Sequence, residues 1–376
     1  MARSAPRLAP GTVFSRTRSD GVRTYFEDRG AKRYSFYGYG KVAMRDGLDA
    51  LLEKRDASNV VLPAYLPFGI VEPFREVGLE PRYYDCDRRL QPDLDRIEDL
   101  LDSETLAVMF VHYFGQPQAR EGIEAIRELA AEYDAFTIDD NAHSALSTLD
   151  DRLLGTFGDI GITSLRKTLP IPNGAALFLN DEDLSEAALS RSAVREHYTK
   201  ADYRYCARSF GGSVSGRTGI KETLSVLRWA NGHRYESNGH VREDAIEADP
   251  REVYEATKVP MSRLSMHVLD RIDPIDVIAT RRANYRRWDR RLQEFDGVEP
   301  AFASLSLSAC PQYYPAIVRE PADLGALAEV AQPWPPLPYD VRDDPAFETT
   351  NFLSSHLYTL PVHGDIEPAR FEGHGA

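Results

Sequence analysis

The sequence predicts an α/β protein, with a larger domain on a mostly parallel sheet followed by a smaller α+β domain. Three observations carry this. Short apolar runs alternate with helix-length amphipathic segments between residues 39 and 179, the rhythm of βαβ units. Two runs, 105–113 and 135–138, are apolar at nearly every position, as strands buried on both faces must be. The chain has 376 residues, more than the roughly 250–300 that one hydrophobic core usually serves.

Each element has its own signal. Residues 1–35 are polar and irregular, with Pro6, Pro10, Gly11 and Gly21, and read as an N-terminal extension. Residues 41–54 have helical spacing, with Val42, Leu48, Leu51 and Leu52 apolar. The apolar run 59–62 stops at Pro63. Residues 68–77 read as a helix, with Pro73 against it and Gly78 ending it. Residues 82–84 are extended, 92–101 helical, and 120–133 an amphipathic helix. Two further strands, 160–164 and 175–179, flank a turn with Pro170, Pro172 and Gly174. Residues 195–257, rich in Tyr, Arg, Gly and Ser, show no readable period. Residues 261–292 are a long helical stretch interrupted near Pro274, and 293–376 mix short extended runs with Pro-rich turns. The expected division is 1–35 as extension, 36–260 as the large parallel-sheet domain and 261–376 as the small α+β domain.

A net charge of −14 makes the chain a poor nucleic-acid binder. No run approaches the ~18 apolar residues of a membrane span. The first residues carry Arg3, Arg7, Arg16 and Arg18 without an apolar segment, so no secretory signal is read and a cytoplasmic location is expected. Cys86, Cys206 and Cys310 are far apart and form neither a disulfide framework nor a zinc site. Only seven residues are Lys, and the rest of the 45 basic residues are Arg. Salt adaptation and GC-biased codon usage both account for that balance.

The chemistry-bearing pattern is an order of three features. Tyr37-Gly-Tyr-Gly-Lys41 opens a helix, where small residues let backbone N–H groups approach a phosphate at the positive end of the helix dipole. Asp139-Asp140 follows a buried strand; a carboxylate there can hold the proton of a pyridinium nitrogen, or simply cap a helix. Ser164-Leu-Arg-Lys167 follows a later strand and puts an amine before a Pro/Gly turn; lysine is the residue for imine chemistry once burial or a nearby cation lowers its pKa. His112 reads more simply as a hydrogen-bonded core histidine, and Cys310, in an apolar stretch, as an inert thiol. The Tyr/Arg-rich stretch 198–208 suits a nucleotide, an interface or plain surface.

In this order the chain resembles the DegT-type sugar aminotransferases, pyridoxal-phosphate enzymes of fold type I. The likeness rests on VVLPAY at 60–65, VHYFGQP at 111–117, IDDNAH at 138–143 and GTFGDIGITS at 155–164, the last being the most specific; it resumes at 261–266 and at LPVHGD, 360–365. The resemblance implies a fold-type-I large domain and pyridoxal phosphate as cofactor. It implies that Lys167 carries the cofactor and shuttles the substrate proton, and that Asp140 holds the pyridinium proton. His143 would reach the phenolic oxygen. Ser164 and the backbone of Gly40 and Lys41 would bind phosphate, and an aromatic near Tyr65 or Phe68 would cover the ring. It implies a homodimer in which Lys258 touches the partner's phosphate, an amino-acid donor such as glutamate, and a keto-sugar acceptor linked to a nucleotide. The departures are a Ser164-to-lysine stretch two residues shorter than usual, Tyr39-Gly40-Lys41 in place of a small polar loop, and Ala175 in place of a second glycine. Relatives that dehydrate sugars carry His where this chain has Lys167. A lyase or desulfurase, or a non-catalytic regulatory relative, are the competing expectations.

Overall fold

Strand β4 (Thr105–Val111) shows how the sheet is built. All seven of its residues are buried. Ala107, Met109 and Val111 enter one core and Val108 and Phe110 another, so alternate side chains feed layers on opposite faces. The computed structural model describes residues 6–14, 21–218 and 249–371.

Around β4 lie β1 (Tyr34–Tyr37), β2 (Asn59–Pro63), β3 (Glu80–Tyr84), β5 (Phe136–Asn141), the two-residue strands β6 (Thr148–Leu149) and β7 (Arg152–Leu153), β8 (Ile160–Thr163) and β9 (Ala175–Leu179). With β4, six of them form one seven-stranded sheet in the order β1-β9-β8-β5-β4-β2-β3, while β6 and β7 pair apart. Strands β3, β2, β4, β5 and β8 run parallel; β9 is antiparallel to β8, and β1 antiparallel to β9. The fold is therefore the expected α/β one, with a mostly parallel sheet.

The extension forms two short helices, α1 (Pro10–Phe14) and α2 (Gly21–Glu27). It is less peripheral than its composition suggests. Leu8, Val22, Tyr25 and Phe26 are buried with Phe36, Phe178 and Leu264, and the Tyr25 hydroxyl donates to Leu146 O at 2.7 Å. Helices α3 (Gly40–Leu52), α4 (Glu72–Glu76), α5 (Leu94–Leu100) and α6 (Arg120–Glu132) connect the strands. The stretch read as one helix at 68–77 is a 3₁₀ turn, Phe68–Ile70, followed by α4. Pro73 lies in the first turn of α4, where its missing N–H costs nothing. After β8 comes a single turn, α7 (Leu165–Thr168), and after β9 come α8 (Ala187–Ser190) and α9 (Lys200–Thr218). Part of the unreadable stretch, residues 219–248, lies outside the described residues.

The long C-terminal helical stretch is two helices, Arg263–Leu269 and Pro274–Leu292, capped by the side chains of Ser262 and Asp273. The first packs with the extension. The second lays Tyr285, Trp288 and Leu292 into a separate core with Tyr314 and Leu360. Those last two belong to a second sheet, β10 (Val298–Pro300), β11 (Tyr313–Val318), β12 (Gln332–Pro333) and β13 (Leu357–Pro361), ordered β10-β11-β13-β12.

Candidate active site

The parallel strands bring their carboxyl ends to one edge of the sheet, where α/β proteins hold ligands. Strand β1 runs the same way as β8, being twice reversed through β9, so Gly40 and Lys41 leave that edge too. Tyr65 follows β2, His143 follows β5, and Ser164 and Lys167 follow β8. The fold thus gathers residues more than 120 positions apart in sequence.

Asp139 and Asp140 lie inside β5, not beyond it: pairing with β8 continues through Asp140↔Ile162 and Asn141↔Thr163. The two carboxylates have different duties. Asp139 accepts from the N–H groups of Gly155 at 2.8 Å and Phe157 at 3.0 Å, and its other oxygen stands 3.1 Å from His112 Nε2, both residues fully buried. His112 Nδ1 accepts from Gln118 N at 3.0 Å. This pair is a structural brace. Among the described residues, Asp140 accepts only the Ala142 N–H, at 2.8 Å, and it lies in the field of Lys167. Burial raises its pKa to about 6, against the pull of that N–H and of Lys167.

Lys167 sits on α7, whose neighbours hold it firmly. Leu165 and Thr168 are buried, Leu169 N donates to Leu165 O at 2.8 Å, and the Arg281 guanidinium donates to Thr168 O at 2.6 Å. Arg166 and Lys167 lie between those anchors and stay partly open. Burial lowers the Lys167 pKa to about 8; the positive charges of Arg166 and Lys41 push the same way, and Asp140 opposes them. A neutral amine is therefore within reach near physiological pH.

Burial, then the charge of Lys167, holds His143 well below the usual histidine range. The Phe114 N–H points at its Nδ1 at 3.4 Å, which leaves the proton on Nε2. The ring stacks on Phe114 with centroids 5.8 Å apart. Tyr65 is fully buried and stacks on Trp334 at 4.4 Å and 14°. Trp334 also meets the His143 ring edge-on at 5.8 Å. Nothing in the sequence flagged Trp334, which reaches this site only through tertiary folding of a Pro-rich segment. Ser164 is buried and caps α7 without a side-chain hydrogen bond.

Lys258 is engaged in its own chain. Its ammonium contacts Glu255 at 2.6 Å and Glu76 at 3.1 Å, and lies 4.6 Å from the Tyr254 ring centroid. The segment around it nevertheless touches the glycine turn: a side chain on Gly38 would collide with Val259 O, and Asn173 Nδ2 donates to Pro260 O at 3.1 Å. Cys310 is buried, which pushes its thiol up to about 11 and leaves no thiolate for a desulfurase nucleophile.

An amine of lowered pKa, a buried carboxylate in its field and a helix opening with Gly40 at the same edge fit pyridoxal phosphate. Residues 38–217 match the DegT/DnrJ/EryC1/StrS aminotransferase family. The likeness read from the motifs is borne out over that stretch. Among curated relatives of this family, the chain is 31% identical over 153 residues to GDP-perosamine synthase of Escherichia coli O157:H7, covering 40% of this chain and 41% of that one. It is 28% identical over 141 residues to dTDP-4-dehydro-2,3,6-trideoxy-D-glucose 4-aminotransferase of Saccharopolyspora spinosa, covering 37% and 36%. It is 27% identical over 142 residues to GDP-4-keto-6-deoxy-D-mannose 3-dehydratase of Yersinia pseudotuberculosis, covering 37% and 35%. These matches span about two fifths of the relatives' length. The fold extends further. The sugar aminotransferase CalS13 from Micromonospora echinospora superposes with a TM-score of 0.63 at 18% identity, over 98% of this chain and 96% of that one. The Escherichia coli GDP-4-keto-6-deoxy-D-mannose-3-dehydratase, solved with bound hydrated pyridoxal phosphate, gives 0.59 at 16%, over 93% and 89%. The fold is therefore of the fold-type-I aminotransferase kind. Among the described residues, no helix is long and apolar enough to cross a membrane.

Proposed function

We propose that the protein is a pyridoxal-phosphate-dependent aminotransferase that moves an amino group from a glutamate-like amino acid to a nucleotide-linked keto-sugar, in surface-glycan or related sugar biosynthesis. The observation that carries the reading is the Lys167 amine, held partly open and partly deprotonated beside the buried Asp140 carboxylate. Names of relatives support the substrate class: one is a GDP-perosamine synthase and another a dTDP-keto-sugar aminotransferase.

Bound at this edge, the cofactor supplies an aldehyde that captures amines and a pyridinium ring that accepts electrons. Lys167 provides the amine that holds it and moves the proton at the substrate carbon. Asp140 keeps the proton on the ring nitrogen. His143, neutral, offers its Nε2–H to the phenolic oxygen. Ser164 and the first amides of α3, at Gly40 and Lys41, receive the phosphate. The Tyr65–Trp334 stack walls the ring side. Lys258 serves a partner's phosphate in a homodimer by leaving Glu76 and Glu255. The site as read needs no metal, membrane or nucleic acid, and the setting is cytoplasmic.

Similarity to a sugar dehydratase raises a second reading. Lys167 argues against it, because dehydratases of this kind carry His at that place. The test is a half-reaction. Glutamate added to the holoprotein should yield 2-oxoglutarate and pyridoxamine phosphate in equal amounts, and a 4-keto nucleotide sugar should restore the starting spectrum. Release of the sugar's hydroxyl without net amino transfer would establish the dehydratase instead.

A further inference from the structure

Two cations at the site lack a carboxylate partner among the described residues. The first is Lys41, at the start of α3. Its side chain folds toward the turn after β2, so closely that a β-carbon on Gly69 would come within 2.7 Å of its Nζ. The carboxylate that attracts it, Glu72, is already held by Arg75 at 3.2 Å, with Arg251 at 3.7 Å. The second is Arg166. Its guanidinium lies 5.3 Å from the Tyr39 ring centroid, and its Nε is buried without a hydrogen-bond acceptor. Arg166 is the charge that acts most strongly on both Lys41 and Lys167, so the three cations share one small space. Bringing like charges together under partial burial costs free energy unless an anion joins them. An unsatisfied buried N–H of an arginine costs more still.

The amides that open α3 belong to the same space. The first turn of a helix leaves N–H groups without acceptors and carries the positive end of the dipole. Tyr39, its N-cap, contributes no side-chain bond to them. Arg166 faces the ring of Tyr39, the N-cap of α3, and Lys41 lies in the first turn of the same helix, so both cations stand at its N-terminus. Two positive charges there match a dianion better than a carboxylate.

We propose that the side chains of Lys41 and Arg166 clamp the phosphate monoester of the cofactor from within one chain. This rests on the reading of the site as a pyridoxal-phosphate site and adds a charge-based grip where the loop, residues 37–41, has no serine or threonine.

The experiment compares the chain's affinity for pyridoxal phosphate and for pyridoxal, which lacks the phosphate. The variants are Lys41→Met, Arg166→Met and, as conservative controls, Lys41→Arg and Arg166→Lys. Any change in the Lys167 amine affects both ligands alike, so the affinity ratio isolates the phosphate. Wild type should favour the phosphorylated ligand strongly. Each methionine variant should cut that preference at least ~10-fold, and the conservative variants should restore most of it, as charge-assisted hydrogen bonds require. Inorganic phosphate should compete with pyridoxal phosphate in wild type and lose that ability in the methionine variants. An unchanged ratio in both methionine variants would overturn the clamp while leaving the cofactor reading intact. A raised KM for glutamate with an unchanged ratio in Arg166→Met would give the arginine to the donor's carboxylate instead. Failure of wild type to bind either ligand would overturn the site reading itself.

Discussion

Asp139 and Asp140 are consecutive residues of β5, yet one carboxylate is occupied by the N–H groups of Gly155 and Phe157 and the other faces the charge of Lys167. Strand alternation enforces the split, since neighbours on a strand point to opposite faces. It makes the two substitutions separable. Asp139→Ala strips the acceptor from two buried N–H groups, at ~1–3 kcal/mol each, so the urea midpoint should drop clearly. Asp140→Asn removes a buried charge, should leave folding intact, and should lower turnover at least ~100-fold because the ring proton is no longer held. Near-normal turnover in Asp140→Asn would move the role elsewhere.

The Lys167 amine gives a pH signature. Its pKa of about 8 means that capture of an aldehyde probe by the cofactor-free chain should quicken as pH rises through about 8 and then level off. Arg166→Met removes a repelling positive charge, favours the ammonium and should move the midpoint upward. A stopped-flow rate profile checks both, and a downward move would contradict the electrostatics.

The same depression has a consequence for stability. Lys167 falls from 10.5 to about 8 on folding, so between those values the unfolded chain binds the extra proton. Stability should therefore rise with pH from about 8 upward, after being lowered by a constant amount below 8. Lys41, lowered to the same value by burial and Arg166, adds to the effect. Urea unfolding at pH 7.5 and 9.5 should show wild type gaining more over that interval than Lys167→Met. An equal gain in both would remove Lys167 as a source.

The sheet was legible because its signals are local. The apolar run after Thr105 and the amphipathic helix after Arg120 stand almost where the sequence puts them. The end of β5 was not. Apolarity stops at Ile138, but the strand continues through two acids because Asp139 finds partners 16 and 18 residues away. The candidate site was readable as an order of motifs. Its walls were not: Trp334 stacks on Tyr65 across 269 positions, and no local pattern encodes such a contact. Lys258 shows the same limit, since its partner Glu76 lies 182 positions away.

Net charge of −14 with seven lysines invites a salt test. If the acidic surface is an adaptation, molar KCl should screen self-repulsion and raise the melting temperature. A melting temperature unchanged between low salt and molar KCl would leave codon bias as the explanation.

The proposed homodimer is checked by sedimentation of the holoprotein at assay concentration. A dimer is expected. A fully active monomer would contradict shared sites and would suit the single-chain phosphate clamp.

The central claim is that Lys167 carries the cofactor. Reduction of the holoprotein with borohydride, followed by proteolysis and mass mapping, tests it most directly. The account predicts loss of the visible band and a pyridoxyl group on Lys167 alone, with no adduct in Lys167→Ala. A pyridoxyl group on Lys41, Lys258 or any other lysine would contradict it.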